Sequence, residues 1–478
     1  MTQIDTPRCT CSQVPVSPLP SVCACDGRSR FSSRRDGVRT QRLYKRTASH
    51  SIVILLCLTA AVGVGQTSQP VLSADADPLS PNSPLTGTEE FAQFTVLEPK
   101  ADAGDPEAQY QLGVAYATGQ GVKVDHGEAL KWWKRAADQG HAKAQNQVGV
   151  AYALGRGISQ ACTEGIQFLR AAAEQDLAAA QFNLARLYEQ GTCVERNELE
   201  AAGLLRKAVE HGLAAAENDL GMLYLQGPDS LRDSNAGVRL IEMAVQKRDT
   251  AAEYNLAWLS VMGKVVPQDY ARALQYFQTA VAQGYPDAYH GIGYLYDTGK
   301  GVPKNHKEAA ENYLKAAENG FAPSQSELGL MYLSGDGVPQ DYDKSAEWFR
   351  KAAEQGDPHG ENGMGHAYFL GKGVKRDVRQ AAEWFRKAAE LGDPIAQANL
   401  GHVLESGQGA SVDYTEAYKW YRLSGEQGNA DANRAMNELA KIMTPKQLKE
   451  GLNQMKMWLQ QHRRTKADLT LNSTERLH

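Results

Sequence analysis

Between residues 321 and 393 the apolar positions fall at helical spacing, and the whole pattern returns after 36 residues. Leu328-Gly329 stands ahead of Tyr332, Gly335-Asp336-Gly337-Val338, Asp341, Trp348-Phe349-Arg350-Lys351-Ala352-Ala353 and Gly356-Asp357. Met364-Gly365, Tyr368, Gly371-Lys372-Gly373-Val374, Asp377, Trp384-Phe385-Arg386-Lys387-Ala388-Ala389 and Gly392-Asp393 then repeat it. A fixed period of this length predicts a solenoid, whose units stack because none can bury its apolar face alone.

Two columns hold phase through nine units without insertion or deletion. One runs Gly113, Gly149, Ala185, Gly221, Ala257, Gly293, Gly329, Gly365, Gly401; the other runs from Gly119 to Gly407 at the same interval. Each unit divides into two helices. The first opens at Asp-Pro in the clearest units (Asp105-Pro106, Asp357-Pro358, Asp393-Pro394), an N-cap acceptor followed by a ring pre-set for the first helical position. Its Ala108, Leu112 and Ala115 form a buried stripe, and Gly113 admits a close neighbour. The Gly119-Gln120-Gly121 loop tolerates the positive φ of a helix C-cap.

Asp125 is expected to cap the second helix, with Glu128 completing a capping box. Asn197/Glu200, Asn305/Glu308 and Asp413/Glu416 repeat the device. The column Trp133, Leu169, Leu205, Ile241, Phe277, Tyr313, Phe349, Phe385, Tyr421 is its core face. Units two to five depart from the pattern: Cys193, Asp229 and Val265 replace the second loop glycine, and Asp176 and Arg248 the glycine between units. Those loops must close differently.

Ahead of the repeats, residues 1–50 carry 9 Lys and Arg against 3 Asp and Glu and read as a disordered basic leader, with a later start of translation as the alternative. The rest of the chain is acidic, with 42 basic and 53 acidic residues, which argues against a nucleic-acid partner. Residues 51–65 follow a basic flank as a short uncharged run. They read as the apolar region of a signal peptide, with an uncleaved anchor as the alternative. Residues 66–101 read as a flexible linker and N-terminal cap, 102–443 as the solenoid with nine full repeats and a half repeat, and 444–478 as a capping helix with a frayed tail.

Candidate chemistry is sparse. The Gly-x-Gly pairs follow helices and recur once per unit, so they are helix C-caps and not phosphate loops. No Gly-x-Ser-x-Gly, His-Glu-x-x-His or Ser-x-x-Lys occurs. His366 and His402, one unit apart, lack the further ligands of a metal site and read as surface histidines. No cofactor is expected. Cys9-x-Cys11 and Cys23-x-Cys25 do not match a zinc module, whereas Cys162 and Cys193 lie near the loop side of consecutive units, where a disulfide could form.

The run Leu-Gly-x-x-Tyr, Gly-x-Gly-Val, Asp, Trp-Phe-Arg-Lys-Ala-Ala-Glu-Gln-Gly-Asp resembles the Sel-one-like repeat (SLR) family, over roughly residues 102–443. The resemblance implies an all-α fold, a right-handed α/α superhelical solenoid, used as a non-enzymatic protein–protein adaptor. With the export leader it implies a bacterial periplasmic or secreted setting. The alternatives are a cell-wall-active hydrolase or an envelope-glycan binder on the same repeats. In superhelices of this type the first helices line the concave side. Two columns there change chemistry from unit to unit, from Tyr110 to Ala398 and from Val114 to His402. Aromatic and histidine side chains gather in them at Tyr254, Trp258, His290, Tyr294 and His366, the expected anchors for another protein or peptide.

Overall fold

The computed structural model describes residues 87–155 and 158–462, with side chains from Phe94 onward. Twenty-one helices follow one another among the described residues, and no strand. Helix α1 (Gly87–Asp102) precedes nine two-helix units: α2 (Pro106–Thr118) with α3 (His126–Asp138), α4 (Ala142–Leu154) with α5 (Cys162–Ala173), α6 (Ala178–Gln190) with α7 (Glu198–Glu210). Then come α8 (Ala214–Gln226) with α9 (Ser234–Gln246), α10 (Thr250–Met262) with α11 (Tyr270–Ala282), and α12 (Ala288–Thr298) with α13 (His306–Glu318). The last three are α14 (Ala322–Ser334) with α15 (Tyr342–Glu354), α16 (Pro358–Leu370) with α17 (Val378–Glu390), and α18 (Pro394–Ser406) with α19 (Tyr414–Glu426). Helices α20 (Ala430–Ala440) and α21 (Pro445–Gln461) close the array. The leader, the apolar run of residues 51–65, the linker up to residue 86 and the tail after His462 lie outside the described residues.

The core is a ladder of knobs in small notches. Every member of the column from Trp133 to Tyr421 is buried. In the seven units with glycine in the first-helix column (Ala185 and Ala257 stand there in the third and fifth), the ring or branch lies where that glycine has no side chain: a Cβ on Gly329 would sit 2.7 Å from the Phe349 ring, and one on Gly401 2.7 Å from Tyr421. The Asp-Pro starts act as expected, Asp105, Asp357 and Asp393 each accepting a backbone N–H at their helix entrance.

Two local expectations are corrected. Asp125, Asn197, Asn305 and Asp413 do cap the second helices, but no reciprocal bond from their glutamates forms a capping box. Glu128 is taken by Lys131 (2.6 Å), and Glu416 by Arg386 and the indole N–H of Trp420. Among the described residues the box is built at Thr444/Gln447, where α21 begins. The irregular loops also divide into two kinds. Asp176, Cys193 and Arg248 adopt the left-handed φ of the glycines they replace (59°, 64° and 62°), whereas Asp229 and Val265 do not.

A hydrogen-bond ladder that the sequence analysis missed runs through the array. The side-chain amide of Gln139 donates to Gln109 (2.8 Å), Gln175 to Gln145 (2.8 Å), Gln355 to Gln325 (2.8 Å) and Gln427 to Gln397 (2.9 Å). In the fourth unit Lys247 and Glu217 make the same link as an ion pair at 2.6 Å. In these units it ties the end of the second helix to the start of its own first helix. At the C-terminal end, Trp458 of α21 packs edge-on to Trp420 and donates its N–H to Glu390 (2.6 Å), sealing the last apolar face.

Cys162 and Cys193 are joined as a disulfide with their Cα atoms 5.0 Å apart. It links the start of α5 to the loop after α6.

Candidate functional site: the face of the first helices

Neighbouring first helices touch directly, as α14 and α16 do most closely, while second helices meet chiefly the first helices on either side. The first helices thus form a continuous row, and its outward side is the surface that the sequence analysis assigned to a partner.

The first of the two columns does not lie on that side. Tyr110, Asn146, Phe182, Asn218, Tyr254, His290, Ser326 and Asn362 are all buried, and Ala398 alone is half-buried. The cause is that this position is the joint between units. Tyr110 stacks on His141 at 5.0 Å, Tyr254 packs on Tyr285 at 5.3 Å and His290 on Phe321 at 5.2 Å, each partner lying just ahead of the next first helix. Where the column is Asn, it accepts from an Asn of the next unit: Asn183 to Asn146 (2.9 Å), Asn255 to Asn218 (2.8 Å), Asn399 to Asn362 (3.0 Å). Ser326 donates to Asp357 at 2.6 Å. Its unit-to-unit variation answers to the adjacent unit.

The second column divides. Met222, Trp258 and Tyr294 are buried, and Val114, Val150, Arg186, Leu330, His366 and His402 are half-buried. Trp258 lies against Phe277 (5.3 Å), Tyr294 (5.4 Å) and His290 (6.0 Å), and Tyr294 accepts from Lys300 (2.7 Å). The expectation that Tyr254, Trp258, His290 and Tyr294 are exposed anchors is therefore corrected. Tyr254, Trp258 and Tyr294 belong to the aromatic core of the fifth and sixth units, and His290 is buried against it. His366 keeps a partly open position, with burial and the nearby Lys372 charge lowering its pKa to about 4. His402 is half-buried as well.

The row is strongly polarised in the middle. Burial raises Glu189 to about 8, Asp219 to about 6 and Asp287 to about 6, and raises Asp249 too. Neighbouring carboxylates add to the effect at Glu189, while the Arg186 charge opposes it at both Glu189 and Asp219. Further along, burial alone would lower His359. The Nδ1 contact with Asp393 (3.1 Å) and the charge of that carboxylate outweigh it and hold the imidazolium up to about 9.

Among the described residues no group of three His, Cys, Asp or Glu side chains could hold a metal ion. An open groove of about 430 Å³ between α16 and α17 is lined by Tyr368, Val374, Lys375, Arg376, Asp377 and Gln380, without a nucleophile beside a base. On the second helices, Lys351 and Lys387 lie over the rings of Trp348 and Trp384 at 4.0 Å, as cation–π contacts.

The Sel1 repeat matches this chain nine times in succession, over residues 106–141, 142–177, 178–213, 214–249, 250–285, 286–321, 322–357, 358–393 and 394–429. The chain belongs to the Sel1 repeat family. No curated protein matches it. Among solved structures, a protective antigen present in uropathogenic Escherichia coli strains and displaying an SLR fold is 27% identical. That match covers 88% of this chain and 94% of the antigen, with a TM-score of 0.42. A Sel1 repeat protein from Oxalobacter formigenes is also 27% identical, covering 72% of this chain and 99% of its own, with a TM-score of 0.45. Sel1 repeat proteins generally mediate protein–protein interaction, and their fold is typically a scaffold.

Proposed function

We propose that this Sel1 repeat protein is an exported, non-enzymatic scaffold that holds a segment of another protein along the outward side of its first helices. The observation that carries the reading is the arrangement of that row. Its core stripes turn toward the second helices, and Val114, Val150, Arg186, Leu330, His366 and His402 are left as a half-open strip whose chemistry differs at each step. A strip of this kind suits one irregular partner better than a repetitive one. Export is supported by the basic flank and apolar run of residues 51–65, and by a disulfide, which persists in oxidising compartments. On this reading the mature chain begins between Gln66 and Asp77.

Photo-crosslinking side chains placed at Arg186, Leu330 and His402 test the face, with Leu199, exposed on α7, as the opposite-side control. The first three should capture a common partner in cells and Leu199 should not. Capture from Leu199 alone would overturn the assignment. Sequencing the N-terminus of the exported form tests the rest, since a chain retaining Ile52–Gly65 would be anchored.

A further inference from the structure

The disulfide occupies a seam that other units close in a different way. In the sixth to ninth units the second loop glycine presses on the residue that opens the preceding unit's second helix. A Cβ on Gly301 would come within 2.6 Å of Tyr270 Cβ. At Gly337, Gly373 and Gly409 it would overlap the carbonyl oxygens of His306, Tyr342 and Val378. Cys193 is that same loop position in the third unit, and Cys162 is the same helix-opening position in the second. The glycine contact is thus replaced here by a covalent one. Cys193 keeps the glycine backbone, with φ at 64°, which disfavours an L side chain.

We propose that the Cys162–Cys193 bond is a redox-set latch on the junction between the second and third units. Reduction cuts the covalent tie between the loop after α6 and the start of α5, at a seam that Cys193 does not close as a glycine closes it in the later units. Both cysteines are half-buried, so a small dithiol can reach them. Its thiolate attacks one sulfur and expels the other as a thiolate. The second thiol of the reagent then resolves the mixed disulfide, leaving two protonated cysteines and an oxidised, cyclic dithiol. The latch is independent of any partner on the face of the first helices.

Amide hydrogen exchange on the whole protein, with and without dithiothreitol, tests the latch. Completion of reduction is checked by counting the thiols of Cys162 and Cys193. Exchange over residues 190–197 and 158–165 should quicken about tenfold or more on reduction, while the glycine loop at 371–377 stays unchanged. Cys193→Gly supplies the seam used elsewhere and should keep slow exchange under both conditions. Unchanged exchange in the fully reduced wild type would overturn the proposal. So would fast exchange in Cys193→Gly without reductant, because the bond would then not be standing in for a glycine contact.

Discussion

The units with regular glycine loops, the seventh to ninth, and the irregular third to fifth share one packing scheme and differ at their seams. Phe349, Phe385 and Tyr421 in the first group, and Leu205, Ile241 and Phe277 in the second, are all buried in the same column. At the seam the regular units leave no room for a side chain at Gly337, Gly373 or Gly409. The irregular ones place Cys193, Asp229 and Val265 there, one cross-linked and left-handed and two outside the left-handed region. The comparison separates two roles of a repeated glycine. Tolerance of positive φ can be replaced at modest cost, as Asp176 and Arg248 show. Absence of a Cβ against a carbonyl cannot be replaced without changing the seam.

Substitutions in the common core should have the greatest effect. Phe349→Ala and Ile241→Ala remove fully buried groups from the two regions, and should cost ~3–5 and ~2–5 kcal/mol in denaturant titration. A loss below about 1 kcal/mol at Ile241 would mean that the irregular units are packed on other principles. Next in size is the seam. Gly373→Ala combines a left-handed residue with overlap on the Tyr342 carbonyl and should cost ~2–3 kcal/mol. Asp229→Ala, at the matching position of the fourth unit, should stay within about 0.5 kcal/mol. Equal effects in thermal melts would erase the distinction drawn between the two groups.

How much of this was legible in the sequence follows from where each signal lies. The 36-residue period gives the two-helix unit, and the column from Trp133 to Tyr421 is apolar throughout, so fold and core read directly. The column holding Tyr254 and His290 misled because its variation looks like adaptation to a ligand. Its contacts reach the neighbouring unit instead, for instance 34 residues on from His290 at Ser324 (2.9 Å). A reading made one unit at a time does not pair such positions. The glutamine ladder did leave a signal: Gln109/Gln139, Gln145/Gln175, Gln325/Gln355 and Gln397/Gln427 recur 30 residues apart, and Glu217/Lys247 changes both members together. The capping boxes failed for another reason. Lys131 and Arg386 compete for the glutamates, which propensity at a helix entrance does not anticipate.

A smaller effect sharpens the cost of a side chain at positive φ. Arg248, at 62°, joins the fourth and fifth units where most junctions have glycine. Arg248→Gly should stabilise the protein by ~1 kcal/mol, the left-handed penalty less the entropy that glycine adds to the unfolded chain. A melting temperature that falls would show that the arginine side chain contributes more than its backbone costs.

The last prediction runs against the ranking of regular over irregular. The eighth unit has regular loops, yet its glutamine ladder is broken. Glu361 stands where Gln325 and Gln397 do, but Leu391, exposed at 53%, replaces the donor found at Gln355 and Gln427. One carboxylate oxygen of Glu361 is consequently buried without a hydrogen bond, and burial raises its pKa to about 7. The irregular fifth unit meets the same side chain, Glu253, with the amide of Gln283, 3.0 Å from both carboxylate oxygens. Because the folded-state pKa of Glu361 is raised, the folded form binds more protons than the unfolded form from about pH 4.5 to about 7. The contribution of this group is present below that window and is lost as pH rises through it. Leu391→Gln restores the donor to the carboxylate and should add ~0.5–1.5 kcal/mol at pH 8, with a smaller gain at pH 5 where Glu361 is protonated. Melting curves of the variant and the wild type at the two pH values would check it. A gain equal at both, or larger at pH 5, would show that the ladder in this unit does not depend on the charge of Glu361.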